Sequence, residues 1–388
     1  MRGCIVKRSK DSYSIKISIG KDPTSGKYKY QWVTVKGTKK DAEKRLSELL
    51  HQLDNGTFIK PGKMRVAEYL GRWLADYARP NLSPRGYERY ESIARVHLIP
   101  SIGNIPLTQL RPEHLQRHYS AKLKEGLSPL TVRYLHTVIH KALQTAIKWG
   151  LLNRNAADGV DMPRARHNEM QTWDDFEVRH FLQLAKDSEY FALFHTALFT
   201  GMRRNELLGI RWSDIDFLFS QLSVSRSLHH LKDGSFIFTP PKSEKSKRTI
   251  ALSPEAVHVL REHRVKQEAI RAAIGKPLVD NDLMFSTHDG KPLRPNTVSR
   301  AWKMLAARAG VKVINFHGAR HTHASLLLKA GVHPKVVQER LGHASIQITL
   351  DTYSHVVPGL QDAAAIQFEK IVSPTYNENA EYEVIGSN

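Results

Sequence analysis

Two periodicities divide the chain. Near its start Tyr13, Ile15, Ile17 and Ile19 alternate with Ser14, Lys16 and Ser18, the period of a strand with one buried face. Asp22-Pro23-Thr24-Ser25-Gly26 follows as turn chemistry, and Tyr28, Tyr30 and Trp32 alternate with Lys29 and Gln31 in a second strand. Residues 5–8 supply a third. Thr38 stands where a helix cap belongs, ahead of Ala42, Leu46, Leu49, Leu50 and Leu53 at helical spacing, with Gly56 just beyond. The expectation is a three-stranded sheet backed by one helix.

After Lys60-Pro61-Gly62-Lys63, a linker by composition, the pattern turns helical. Val66, Tyr69, Leu70, Trp73 and Leu74 mark a first helix. Ser83-Pro84 opens a second that runs toward Leu98, Pro112 a third, and Ser128-Pro129 a fourth, striped by Val132, Leu135, Val138, Ile139, Leu143 and Ile147. A second linker follows at Asp161-Met162-Pro163-Arg164-Ala165-Arg166. Beyond it the pattern predicts helices near 174–186, 190–199 and 203–209, then strands near 221–228, 235–239 and 247–252. Helices follow near 254–273, 295–309, 317–330, 334–341 and 346–352. Residues 373–388 carry Glu378, Glu381 and Glu383, no basic residue and little apolar pattern, and read as an exposed tail. The fold class is multidomain. A small α+β domain spans 1–60, an all-α domain 64–165, and a mainly α domain with a small antiparallel sheet 169–372.

Charge sharpens this division. The chain has 388 residues and a net charge of +20, which points to a polyanionic partner, with nucleic acid the first candidate. Residues 1–60 hold 14 Lys+Arg against 6 Asp+Glu, and residues 64–168 hold 16 against 8. The remainder is nearly balanced at 27 against 24, so its basic residues must act by position rather than number. The polar face of the first sheet can enter a DNA groove or can be a solvated surface; Lys16 and Lys29 are its candidate contacts. Lys122, Lys124, Arg133 and Lys141 are candidate phosphate contacts in the helical block. The single cysteine, Cys4, excludes an intramolecular disulfide. No apolar run approaches the roughly 18 residues of a membrane span, and the first residues lack a signal-peptide pattern. A cytoplasmic location, with no membrane partner, is expected.

The stretch from Ile314 to Val356 gathers the chemistry: His317, Arg320, His343 and Tyr353 lie within it, Arg203 follows Gly201 upstream, and Lys242 sits on an expected hairpin. A phosphodiester anion repels nucleophiles, so an enzyme neutralises it with metal ions or with fixed cations. Clustered carboxylates are lacking; Glu206 and Asp351 are the nearest in sequence. Arginines are plentiful, and each offers a planar fork for two phosphate oxygens. Arg320 lies one turn after His317, so the two share a helix face. A tyrosine hydroxyl titrates near about 10, so Tyr353 needs help to attack. Nearby cations lower that value, and His317 can accept its proton.

Five blocks stand in order: Thr200-Gly201-Met202-Arg203, Pro241-Lys242-Ser243, His317-Gly318-Ala319-Arg320-His321-Thr322-His323-Ala324, Leu341-Gly342-His343 and Asp351-Thr352-Tyr353-Ser354-His355. In order and spacing they resemble the signature blocks of tyrosine recombinases of the phage-integrase family. Residues 64–165 look like that family's core-DNA-binding domain. Residues 1–60 look like the arm-DNA-binding domain of integrases from conjugative transposons and temperate phages. Ala319 departs from the pattern, standing where a leucine is common. The resemblance implies a site-specific recombinase that cleaves and rejoins double-stranded DNA through a 3′-phosphotyrosine link and a Holliday junction, without cofactor, ATP or metal. It implies that Arg203 and Arg320 clamp the phosphate, Lys242 protonates the 5′-oxygen, His317 assists proton transfer, His343 hydrogen-bonds the phosphate and Tyr353 is the nucleophile. Glu206 resembles an acidic residue that supports the site from behind. The resemblance further implies a homotetramer on DNA, with DNA-bending and excision proteins as candidate accessory partners. Val356 to Ile371 resembles the family's C-terminal helix, which docks on the neighbouring protomer; packing back on its own domain is the alternative.

Other readings stay in view. A type IB topoisomerase shares the chemistry, but the small sheet domain favours a two-site DNA binder. A regulator that keeps the fold without activity is disfavoured by the intact set of six residues. Chromosome-dimer resolution is disfavoured because dimer resolvases of the family generally lack the sheet domain. A zinc site built from His317, His321, His323, His343 and His355 lacks a placed carboxylate, and His321 and His323 read as structural.

Overall fold

The computed structural model describes residues 3–21, 25–55, 63–164, 170–240, 247–353, 365–366, 368–369 and 371–372. By internal packing the chain divides into two units, Met1–His167 and Asn168–Asn388.

The first unit opens with β1 (Gly3–Ser9), β2 (Ser12–Lys21) and β3 (Tyr28–Lys36), an antiparallel sheet in the order β1-β2-β3. Helix α1 (Lys39–Asp54) follows. Thr38 caps it as expected: its hydroxyl accepts from the Asp41 amide, and Asp41 accepts from the Thr38 amide. Such a cap contributes about 1 kcal/mol. Ile15 and Ile17 pack with Leu49 into a small core, joined by Leu46, Leu50 and Leu53. Gly56, expected just past the helix, lies outside the described residues. Pairing sets Trp32 opposite Lys16 and Tyr30 opposite Ser18, so Tyr30, Trp32 and Lys16 share the face away from that core. By the same alternation Lys29 projects from the other face. The two candidate lysines therefore lie on opposite sides of the sheet.

The helical part has its own core around Trp73, Tyr69, Leu98, Tyr119 and Leu143. Helix α2 (Val66–Trp73) continues through a π-helical turn, Leu74–Ala78, into α3 (Arg79–Asn81). Helix α4 (Pro84–Ile93) likewise continues through Ala94–Leu98 into α5 (Ile99–Ile102). Each π turn ends just before a proline, Pro80 or Pro100. Proline lacks the amide that the preceding turn would use, and a widened turn absorbs the misfit. Helices α6 (Pro112–Lys124) and α7 (Pro129–Lys148) complete the block, and Ser128 caps α7 as its Ser-Pro signal predicts.

The second unit begins with α8 (Asp175–Ala185), α9 (Phe191–Thr200) and the one-turn α10 (Arg204–Leu207). Five short strands follow: β4 (Ile215–Asp216), β5 (Gln221–Val224), β6 (Ser227–His230), β7 (Phe236–Thr239) and β8 (Arg248–Ala251). The single strand expected over 221–228 is in fact two, in different sheets. β5 lies between β4 and β8, whereas β6 pairs with β7. The break has a cause: the Asp214 carboxylate accepts from Ser225 Oγ and Arg226 Nη2, turning the chain between the sheets. Helices α11 (Pro254–Ala273), α12 (Pro295–Arg308), α13 (Gly318–Lys329), α14 (Pro334–Leu341) and α15 (Ile346–Tyr353) close the unit. Its main core stacks Trp173 on Trp302 at 4.8 Å and sets Phe181 tilted against Trp302 at 4.5 Å. A smaller core of Ala324, Leu328, Val337, Leu341 and Tyr353 joins α13, α14 and α15.

Candidate functional site: a buried cationic centre

Three segments meet where α9 and α14 end. Both helices terminate in a left-handed glycine, Gly201 at φ +64° and Gly342 at φ +69°. Neither position tolerates a side chain. A Cβ on Gly201 would stand 2.6 Å from the His323 ring and 2.7 Å from Leu341, and one on Gly342 2.9 Å from the Arg248 guanidinium. The carbonyls freed at a helix C-terminus carry partial negative charge and attract cations. Arg320 fills that role: its Nη1 donates to the carbonyls of Gly201 and Leu341 at 3.0 and 2.8 Å. Arg203 Nη2 donates to the carbonyl of Gly342 at 3.2 Å. The two arginines, 117 positions apart in sequence, are thus fastened to one turn.

Glu206 ties them to a third cation. Its carboxylate accepts from Arg203 Nη1 at 2.7 Å and Arg248 Nη2 at 2.9 Å. Burial raises its pKa, but the Arg248 and Arg203 guanidiniums more than offset this and hold it below the ordinary carboxylate value. Arg248 in turn donates from Nε to the Arg340 carbonyl, and Arg340 donates to His323 Nε2 and to the Phe199 carbonyl. One polar group has no counterpart: Arg320, 2% exposed, buries its Nη2 without an acceptor among the described residues. A buried donor left unpaired costs about 1–3 kcal/mol, more for a charged one, so an acceptor from beyond the described residues would relieve it. Its surroundings depress its pKa to about 9, chiefly through desolvation and then through Arg203.

The Tyr353 ring, 1% exposed, is packed in the smaller core. Its hydroxyl lies 2.8 Å from His321 Nδ1. This corrects two expectations. The group beside the hydroxyl is His321, not His317. His317 is the N-cap of α13 and stands edge-on behind His321, ring centroids 4.8 Å apart. The phenol's pKa is not lowered either. Burial pushes it up to about 12, with Arg320 only partly opposing. His323 is structural as expected, its Nδ1 on the Leu198 carbonyl at 2.8 Å.

His343 sits in the turn after α14, its carbonyl held by Gln338 and its Nδ1 2.9 Å from Thr349 Oγ1. When Thr349 donates to Nδ1, the ring proton sits on Nε2, free to donate elsewhere. Desolvation, helped by the arginines, lowers His343 to about 3 and His321 to about 4. His317 keeps an edge open to solvent, yet desolvation, His321 and Arg320 bring it to about 4. All three are neutral imidazoles at neutral pH, and all feel the charge of Arg320. Among the described residues no group of three or more His, Cys, Asp or Glu is arranged to hold a metal ion. Lys242 and His355 lie outside the described residues, as does most of Val356 to Ile371.

Comparison with known proteins identifies the assembly. Residues 172–358 match the model of the phage integrase family, and residues 66–123 that of the phage integrase N-terminal SAM-like domain. The chain belongs to the phage integrase family of tyrosine recombinases. It is 28% identical over 371 residues to a tyrosine recombinase XerC-like protein of Caldanaerobacter subterraneus subsp. tengcongensis, covering 91% of this chain and 94% of the relative. It is 25% identical over 370 residues to the ICEBs1 integrase of Bacillus subtilis, covering 95% and 100%. Its fold matches the Tn1549 transposon integrase in complex with a circular intermediate DNA, with a TM-score of 0.67 at 21% identity over 79% of this chain and 99% of that one. It also matches a lambda integrase tetramer bound to a Holliday junction, with a TM-score of 0.56 at 19% identity over 88% and 95%. The enzyme is a site-specific recombinase of the kind that serves mobile elements.

The DNA-contact candidates differ in setting. On the first sheet Lys16 Nζ lies 4.0 Å over the Tyr30 ring, with Trp32 and Arg8 beside it. In the helical block Lys124 and Arg133 are exposed, whereas Lys122 is paired with Glu125 at 2.7 Å. Lys141 lines a shallow groove of about 390 Å³ with His136, Thr137, His140 and Gln144. Sequence reasoning missed Arg248, Arg340, Thr349 and Gln338, for which no local pattern exists. His321 carried a signal: it lies four residues after His317, on the same helix face.

Proposed function

We propose that this recombinase is an integrase that joins and releases a mobile element by cutting core sites with Tyr353 while its first domain holds separate arm sites. The observation that carries the reading is the buried, acceptor-free Nη2 of Arg320 in the same cluster as the Tyr353 hydroxyl. A scissile phosphate there would accept from Arg320, Arg203 and His343 as charge builds on its oxygens, which is the pre-arranged stabilisation that accelerates such reactions. Tyr353 attacks phosphorus to give the 3′-phosphotyrosine, and Lys242 protonates the departing 5′-oxygen. The phosphotyrosine conserves the bond for rejoining, so neither ATP nor metal enters.

Residues 1–60 serve as the arm-binding domain, 64–165 as the core-binding domain, 169–372 as the catalytic domain and 373–388 as a tail. The open face of Lys16, Tyr30 and Trp32 supports the first assignment, and the exposed Lys124 and Arg133 the second. One protomer carries one Tyr353 and exchange breaks four strands, so four protomers assemble on two duplexes. The described residues of the C-terminal segment leave Ile366, Phe368 and Ile371 more than half exposed, which favours docking on a neighbour. DNA-bending and excision proteins complete the assembly. No helix among the described residues is long and apolar enough to cross a membrane. As an enzyme acting on cellular DNA it works in the cytoplasm. The test is a nicked suicide duplex bearing a core site. Wild-type protein traps it covalently and Tyr353→Phe binds it without trapping; adducts on the variant would overturn the reading.

A further inference from the structure

The geometry points to His321 as the group that takes the proton of Tyr353 during cleavage and returns it during rejoining. This deepens the reading of Tyr353 as the nucleophile and rests on it. Three side chains were available for the task, and their placements separate them. His321 Nδ1 stands 2.8 Å from the Tyr353 hydroxyl. His317 makes no hydrogen bond to Tyr353 among the described residues and abuts the His321 ring instead. His343 is turned to Thr349. A general base must lie within hydrogen-bond reach of the proton it removes, and only His321 does so among these three.

The step balances. The Tyr353 O–H bond breaks and its proton moves to His321 Nδ1 while the oxygen–phosphorus bond forms. The bond from phosphorus to the 5′-oxygen breaks, and that oxygen takes its proton from the general acid. In rejoining, the 5′-hydroxyl attacks, the tyrosine oxygen leaves, and His321 hands the proton back. Nothing is consumed.

The groups facing His321 set its state. His317 and Arg320 come from its own helix, Tyr353 from α15, and His343 from the turn after α14. Desolvation and Arg320 keep His321 neutral, so the base is available throughout the neutral range. The same surroundings disfavour the imidazolium formed by cleavage. A cation beside Arg320 is best relieved by giving the proton back, which keeps the covalent intermediate short-lived and the reaction reversible.

Full-length His321→Ala and His321→Gln, with single-turnover cleavage of the nicked duplex, test the assignment. Glutamine can accept the tyrosine's hydrogen bond but cannot carry off its proton. Both variants should cleave about 100- to 10,000-fold more slowly with DNA affinity unchanged within about threefold. Their rates should climb with pH across the neutral-to-alkaline range where the wild-type rate is flat. A substrate with sulfur in place of the bridging 5′-oxygen needs no protonation of its leaving group. It should restore Lys242→Ala but leave both His321 variants slow. Wild-type-like cleavage by His321→Gln, or its rescue by the sulfur substrate, would overturn the assignment and leave the nucleophile standing. Adducts formed by Tyr353→Phe would instead remove the nucleophile itself.

Discussion

The first and second units both present cations to a polyanion, but in opposite settings. Lys16 lies over Tyr30 on an open sheet face, where Tyr30 and Trp32 are about half exposed. Arg320 is almost wholly buried, clasped by two helix-end carbonyls. An exposed charge is screened by salt within about 10 Å and contributes to affinity in small increments. A buried, fixed charge is screened little and is already oriented when the reaction starts. The sheet is suited to holding DNA. The buried centre is suited to stabilising what forms during the reaction. Basic residues therefore cannot be ranked by type or number; their burial decides whether they act on binding or on rate.

The sharpest way to break this contrast is Tyr353→Phe, which should abolish covalent trapping entirely while leaving binding intact; EDTA should leave wild-type cleavage unchanged. Next come Arg320→Ala and Arg203→Ala. Each should cost on the order of 100- to 1000-fold in single-turnover cleavage, as for one lost oxyanion donor, with DNA affinity changed by less than about threefold. Equal losses in binding and rate would place these arginines with the sheet lysines and erase the distinction.

Glu206→Gln probes the cost of burial itself. It removes the buried carboxylate charge that Arg203 and Arg248 share. Breaking a buried pair in this way costs about 3–5 kcal/mol. At roughly 2–4 °C per kcal/mol, the melting temperature should fall by about 10 °C. A loss under about 2 °C would mean that the arginines find water.

Acid should separate the regions as well. His321, His323 and His343 titrate near 6.5 when unfolded, but burial brings them to about 4, 3 and 3. A depressed pKa gives stability that is whole above the unfolded value and is lost as pH falls through the folded one. Melting of the second unit should therefore weaken progressively from about pH 6.5 toward pH 4. The sheet of the first unit has no such histidines and should keep its hydrogen-exchange protection over that window.

The smallest effect belongs to the open face. Lys16→Ala or Trp32→Ala should weaken binding to arm DNA by a few fold and leave core cleavage unaltered. A lost lysine–phosphate contact lowers the slope of log affinity against log salt by about one. No change in either quantity would mark the face as solvated.

Much of this was written locally in the chain. Thr38, Ser83 and Ser128 announce their helices because a cap is a contact between residues three apart. Alternation along β2 selects Ile15 and Ile17 for the core because side chains leave a strand on alternate sides. Arg203, His317, Arg320, His343 and Tyr353 were legible because their neighbours form recognisable blocks, and the structure gathers them around the ends of α9 and α14. What the sequence left open depends on distance through space. Whether 221–228 was one strand or two turned on Asp214 reaching Ser225 and Arg226. Which histidine meets the tyrosine turned on how α15 packs against α13. The cations near Tyr353 suggested an acidified phenol, but desolvation sums over every atom packed around the ring and outweighs the one charge that opposes it. Local spacing fixes which residues share a face; only the folded chain decides what that face meets and how much water reaches it.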